Sequence, residues 1–160
     1  MQRAEKSIRV AAPVEQVYAF WRNFENLPRF MEHVKDVRRA SSNQELWHWT
    51  LKGPLNSCFE FDARVTEDQP NKSIGWNSTH GSLGTSGVVT FRDLQSNTEV
   101  HVLMQWFDPP GGKLGEALSQ MVRNPGKMLE EDLRRFKDLM ERRLREDVGG
   151  EPLAMKSTLD

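Results

Sequence analysis

The sequence predicts a single α+β domain in which a curved antiparallel β-sheet of about seven strands wraps around a long C-terminal α-helix. Three observations predict it. Residues 34–107 read as consecutive alternating strands with turn signals between them. The longest helical pattern in the chain comes last, after a Pro-Pro-Gly-Gly stop. The chain has 160 residues, the size of one domain, and a chain of that length buries roughly 70% of its unfolded surface without a disulfide or structural metal.

The elements follow in order. Residues 5–10 form a first strand with Ile8 and Val10 on one face, ended by Ala11-Ala12-Pro13. Pro13 suits a first helical turn, where a missing N–H is no loss. Val14, Val17, Tyr18 and Trp21 then recur at helical spacing, and Pro28 breaks the pattern into a second short helix. Strands follow at 34–39, 45–52 and 58–66. Trp47, Trp49 and Leu51 alternate with Leu46, His48 and Thr50, and Phe59, Phe61, Ala63 and Val65 with Glu60, Asp62 and Arg64. The strand at 73–78 carries Ile74 and Trp76, and a glycine-bearing loop is expected at 80–87. Strands at 88–93 and 99–107 put Val89, Phe91, Val100, Val102, Met104 and Trp106 inward. Short connections between consecutive strands mean an antiparallel meander.

In the last helix Leu114, Leu118, Met121 and Val122 begin an apolar stripe, and Asn124-Pro125 reads as N-cap and first helical position of a restart. Met128, Leu129, Leu133, Phe136, Met140 and Leu144 continue the stripe. The outer face carries four acid-first pairs at i,i+4: Glu130–Arg134, Glu131–Arg135, Asp138–Arg142 and Glu141–Arg145. The domain is expected to span 1–147, with 148–160 a flexible C-terminal tail.

The 22 basic and 23 acidic residues nearly cancel, which argues against a nucleic-acid partner, since that needs a basic face to replace phosphate counterions. No apolar run approaches the roughly 18 residues of a membrane span, which leaves room only for transient membrane contact. The polar N-terminus and the single cysteine, Cys58, point to a cytoplasmic protein.

The four histidines, His33, His48, His80 and His101, show no metal-ligand spacing, and no cofactor is expected. Strand parity turns His48, His101, Glu60 and Asp62 outward, and His80 falls in a loop bordering the interior. Cys58 has no evident base and reads as structurally buried. The inward positions carry almost no acid or base, which predicts binding rather than catalysis. An aromatic and methionine interior is compatible with a solid core or with an apolar cleft left open by a strongly curved sheet, and periodicity does not separate the two.

The segments carrying Ile8, Pro13, Pro28 and Phe30 resemble the opening of a known family, as do His48-Trp49 and Glu60-Phe61-Asp62-Ala63 followed by Val65-Thr66-Glu67-Asp68. Further similar segments are Ile74-Gly75-Trp76, Gly87-Val88-Val89-Thr90-Phe91, residues 108–115 and Asp132-Leu133-Arg134-Arg135-Phe136-Lys137. Over about residues 4–142 the chain resembles the helix-grip fold of the START-like (SRPBCC, Bet v 1-like) superfamily, within it the polyketide cyclase/dehydrase and coenzyme Q-binding group. It departs from that pattern at Phe61, where Trp is common, and at Arg64, where an acid is common.

The resemblance implies a hydrophobic cavity between sheet and helix. A lipid, quinone or polycyclic, polyketide-like guest is expected there. Trp49, Phe61, Trp76, Phe91, Met104 and Trp106 would form the sheet wall, and Leu118, Met121 and Leu133 the helix wall. The alternatives are an aromatase/cyclase-type enzyme acting on a polyketide and a ligand-free protein-interaction module.

Overall fold

The computed structural model describes residues 2–42, 45–81, 84–107 and 124–159. Seven antiparallel strands form one sheet: β1 (Gln2–Val10), β2 (Val34–Ser41), β3 (Leu46–Lys52), β4 (Cys58–Gln69), β5 (Ser73–Gly81), β6 (Thr85–Asp93) and β7 (Thr98–Trp106). Their spatial order is β1-β7-β6-β5-β4-β3-β2. Only the link from β1 to β2 joins opposite edges, and it carries α1 (Val14–Arg22) and a short 3-10 helix (Phe24–Arg29). The long helix α2 (Pro125–Leu159) closes the chain. This is the expected helix-grip arrangement.

Local chemistry accounts for the main boundaries. Asn124 Oδ1 accepts the Lys127 N–H at 3.1 Å, capping α2 where Pro125 has no N–H to offer. The β4/β5 ladder slips between Asp62 and Ala63 and again between Val65 and Glu67; such bulges bend a strand and tighten its twist, which curves the sheet. Gly87 is required by close approach: a Cβ there would lie 2.4 Å from the Trp76 ring and 2.6 Å from the Leu103 carbonyl oxygen.

Part of the interior is solid. Phe30 and Phe136 pack with ring centroids 4.9 Å apart, and Trp21 sits 5.1 Å from each. Leu129, Leu133, Phe136 and Met140 of α2 are buried there. The same helix is tied to the end of β1, where Lys137 Nζ donates to the Arg9 carbonyl at 3.1 Å and the Ala11 N–H donates to Glu141 at 2.8 Å.

Three details differ from the sequence reading. The loop expected at 80–87 is shorter, because β5 runs to Gly81 and β6 starts at Thr85; His80 is on a strand, opposite Asp62. Cys58 is exposed rather than buried, since its register turns it to the face opposite its fully buried neighbour Phe59. Of the four expected pairs on α2, Glu130–Arg134 forms, at 3.4 Å. Arg135 turns to Asp132 and Glu141 takes Lys137, because these partners sit at the packed edge of the helix. The helical backbone of α2 continues to Leu159. Among the described residues no helix is long and apolar enough to cross a membrane.

Candidate functional site: an apolar cavity with one polar wall

The curved sheet and the first turns of α2 do not close on each other. Between them lies a cavity of about 60 Å³. Its described lining includes Trp49, Leu51, Phe61, Trp76, Met104 and Trp106 from the sheet. Met31, His33 and Val34 contribute from the junction after the 3-10 helix, and Met128 and Asp132 from α2. A volume near 10–15 Å³ admits one water, so this space is a true opening in the core. Alternation along each strand produces the wall: Trp49 and Phe61 are cross-strand partners on the inner face and stack with centroids 5.5 Å apart and planes 17° apart. Trp49 and Trp76 also line a second void of about 20 Å³, so the two indoles stand as a partition between the spaces.

Of the nine residues expected to form the walls, Trp49, Phe61, Trp76, Met104 and Trp106 lie on the cavity. Phe91 instead packs edge-on against Tyr18 and Trp21, with centroids 5.7 and 6.3 Å away, and Leu133 is buried in the adjoining solid core. Leu118 and Met121 lie outside the described residues, with Leu114, Val122 and the stop at 108–112.

The expectation of almost no inward acid or base is corrected by Asp132 and His33, which line the cavity beside the neutral hydroxyl residue Thr85. Asp132 is only 8% exposed. Its Oδ1 accepts the Glu32 N–H at 3.3 Å and a hydrogen bond from Arg135 Nη2, while Arg135 Nε donates to the Phe30 carbonyl at 2.9 Å. Burial pushes the Asp132 carboxyl above the ordinary aspartate range, and the Glu32 N–H, the Arg135 guanidinium and the charge of His33 pull it only partly back. The signal for Asp132 was present in the sequence: it stands three residues after Leu129 and four before Phe136, on the buried stripe. His33 lies between the 3-10 helix and β2, outside any periodic pattern.

The outward assignments hold. His48 is bracketed by Asp62 at 2.7 Å and Glu60 at 2.8 Å. His101 bridges Ser7 and Glu5 on the same outer surface, at 2.5 and 2.8 Å. Among the described residues no cluster of His, Cys, Asp and Glu is arranged to hold a metal ion.

Sheet, grip helix and interior cavity together define a START-like, SRPBCC-type α+β domain. Residues 10–148 match the family described as polyketide cyclase / dehydrase and lipid transport, and the chain belongs to that family. It is 32% identical over 151 residues to a 17.2 kDa protein of Streptomyces lincolnensis from the melC2-rnhH intergenic region, covering 93% of this chain and 96% of that one. Among solved structures, DR_A0006 of Deinococcus radiodurans superposes with a TM-score of 0.70 at 28% identity, over 88% of this chain and 98% of that one. The Zhui aromatase/cyclase of Streptomyces sp. R1128 does so with a TM-score of 0.70 at 16% identity, over 90% and 96%, a likeness of fold.

Proposed function

We propose that the protein holds a hydrophobic small molecule (a lipid, a quinone or a polycyclic, polyketide-like compound) between sheet and C-terminal helix, acting in the cytoplasm as a non-catalytic carrier, chaperone or sensor. The observation that carries this reading is the unfilled cavity walled by Trp49, Phe61, Trp76, Met104 and Trp106. Moving apolar surface of a guest from water into it is favourable by about 25 cal/mol per Å² before the costs of association. The space is smaller than the ~300–1,000 Å³ of sites for drug-sized ligands. Met31, Met104 and Met128 in its wall are unbranched and repack readily, and a swing of Trp49 or Trp76 joins it to the neighbouring void. Native mass spectrometry and solvent extraction of the purified protein test the reading: a co-purifying apolar guest, or quenching of the indoles by added quinone or fatty acid, supports it. Failure of all of these removes it.

A second reading, an aromatase/cyclase acting on a polyketide, is favoured by one observation: Asp132 and His33 supply titratable groups inside the cavity. Turnover of a poly-β-ketone thioester that is lost in Asp132→Asn and in His33→Gln would establish it. Binding of the same compound without turnover would leave the carrier.

A further inference from the structure

Where α1 ends against α2 there is a surface groove that shares no described lining residue with the interior cavity. Its volume is about 400 Å³, inside the ~300–1,000 Å³ range of small-molecule sites. The groove opens because α1 stops at Arg22. The Asn23 N–H donates to the Ala19 carbonyl at 3.2 Å and Asn26 Nδ2 to the Phe20 carbonyl at 3.0 Å, so the last carbonyls of α1 are satisfied without a further helical turn. The floor is apolar: Phe20 and Met140 line it and are 6% and 3% exposed. Gln16, Asn23, Asn26 and Arg143 line it as well, and Arg143 is the one charge in the described lining. A second cation stands near, since the guanidinium carbons of Arg143 and Arg29 lie 5.0 and 5.5 Å from the centroid of the Phe20 ring. Among the described residues neither arginine has an ion-pair partner, and the side-chain amides of Gln16 and Asn23 take no hydrogen bond.

We propose that this groove is a second ligand site and takes a small organic acid, with its apolar body against Phe20 and Met140 and its carboxylate on Arg143. The site is independent of whether the interior cavity holds a guest. A guanidinium stacked on a ring uses its face for the ring and keeps its edge N–H groups for a bidentate carboxylate. Two cations gathered on one phenyl ring repel each other, and an anion beside them turns that repulsion into attraction. The amides of Gln16 and Asn23 add uncommitted polar groups to the same wall. An inorganic anion meets the charge but leaves the apolar floor uncovered. A neutral analogue covers the floor but leaves the charge unanswered. The floor and the arginines together therefore select a molecule that carries both parts.

The test uses 1-naphthoate, 1-naphthamide and inorganic phosphate, each titrated at neutral pH and constant ionic strength into protein carrying ¹³C-methyl methionine. Met140 reports the groove, and Met31, Met104 and Met128 report the interior cavity. The expected result is that naphthoate moves Met140 and binds about tenfold or more tighter than the amide or phosphate. Arg143→Gln should lose most of that preference. Arg143→Lys, which keeps the charge without the fork, should retain part of it, and Arg29→Gln should lose less than Arg143→Gln. Both arginines are exposed, so these variants are expected to fold, and urea denaturation checks that they do. Naphthoate should also raise the urea midpoint of the wild type and leave that of Arg143→Gln unchanged. Equal binding of naphthamide or phosphate in the wild type, or an unchanged naphthoate affinity in Arg143→Gln, overturns the inference. So does a titration in which Met140 stays still. If naphthoate then moves only Met31, Met104 and Met128, it has entered the interior cavity, and the carrier reading stands while the groove site falls.

Discussion

Trp49 lies almost flat on Phe61 across the β3/β4 ladder, with ring centroids 5.5 Å apart and planes 17° apart. Phe61 is pinned from the other side as well. Its opposite neighbour on β5 is Gly81 at φ +121°, where a Cβ would fall 2.4 Å from the Phe61 Cα. The ring is 4% exposed, so Phe61→Ala removes a cavity wall that has little freedom to collapse. The expected cost is about 3–5 kcal/mol by urea denaturation. Phe61→Leu, which keeps more of the volume, costs less. A cost for the alanine variant no larger than that of a surface substitution would contradict this packing.

That wall was legible because a strand alternates: Trp47, Trp49 and Leu51 against His48 and Thr50 leave one reading of the inner face. The Asn124 cap and the buried residues Leu129, Leu133, Phe136 and Met140 were legible for the same kind of reason, periodicity joined to capping chemistry. What stayed hidden was set by tertiary context. Asp132 carries a charge on the buried stripe, and charge weighs toward the solvent face unless a partner such as Arg135 is known to sit beside it. Phe91 obeys strand parity but meets Tyr18 and Trp21, because parity gives a face and not a position along the core. Whether the indoles filled their space or left a void depended on sheet curvature, which the two slips in the β4/β5 ladder impose and no periodicity encodes.

Gly87 tests the partition in the cavity. With a Cβ 2.4 Å from the Trp76 ring and 2.6 Å from the Leu103 oxygen, Gly87→Ala forces the indole and the β6/β7 backbone apart. A destabilisation of about 1–3 kcal/mol is expected, together with a shift in tryptophan fluorescence that is absent when the same substitution is made in a Trp76→Phe background. An unchanged emission spectrum in Gly87→Ala would show that the indole does not rest there.

His48 gives the outer face a pH dependence. Hydrogen bonds to Glu60 and Asp62 outweigh its partial burial and raise its pKa above the ordinary 6.5. The folded protein thus holds this proton more tightly than the unfolded chain. The resulting stabilisation is complete below pH 6.5 and is lost as the pH rises through the higher folded value. Histidine NMR titration should find His48 above 6.5. Denaturation of His48→Gln across the same window should lose part of the wild-type slope, and an identical slope would remove His48 as its source.

Asn124 caps α2 at the end that carries Met128 and Asp132 into the cavity wall. Asn124→Ala leaves the Lys127 N–H without its side-chain acceptor and should cost about 1 kcal/mol, while Asn124→Asp should keep most of the stability. Urea denaturation compares the three proteins. If alanine and aspartate behave alike, the cap does not hold the helix.

Tyr18 joins helix α1 to strand β4, and it is the sole tyrosine of the chain, so phenolate absorbance reads this one group. Its hydroxyl donates to Asp68, whose other oxygen takes Arg22 Nε at 2.9 Å, and Arg22 reaches on to Glu45 at 3.0 Å. Burial first, and then the bond to Asp68 and its negative charge, push the Tyr18 pKa from 10.0 up to about 12, against the pull of Arg22. A raised value means that the fold favours the protonated phenol. This stabilisation is whole below pH 10.0 and disappears as the pH climbs toward 12. The expected titration is therefore flat through the range in which a free tyrosine ionises, for as long as circular dichroism reports native structure. Asp68→Asn keeps an acceptor but removes the charge, and should bring the midpoint down toward that of free tyrosine. A native-state midpoint already at 10.0 in the wild type would show that the Tyr18–Asp68 bond does not persist in solution.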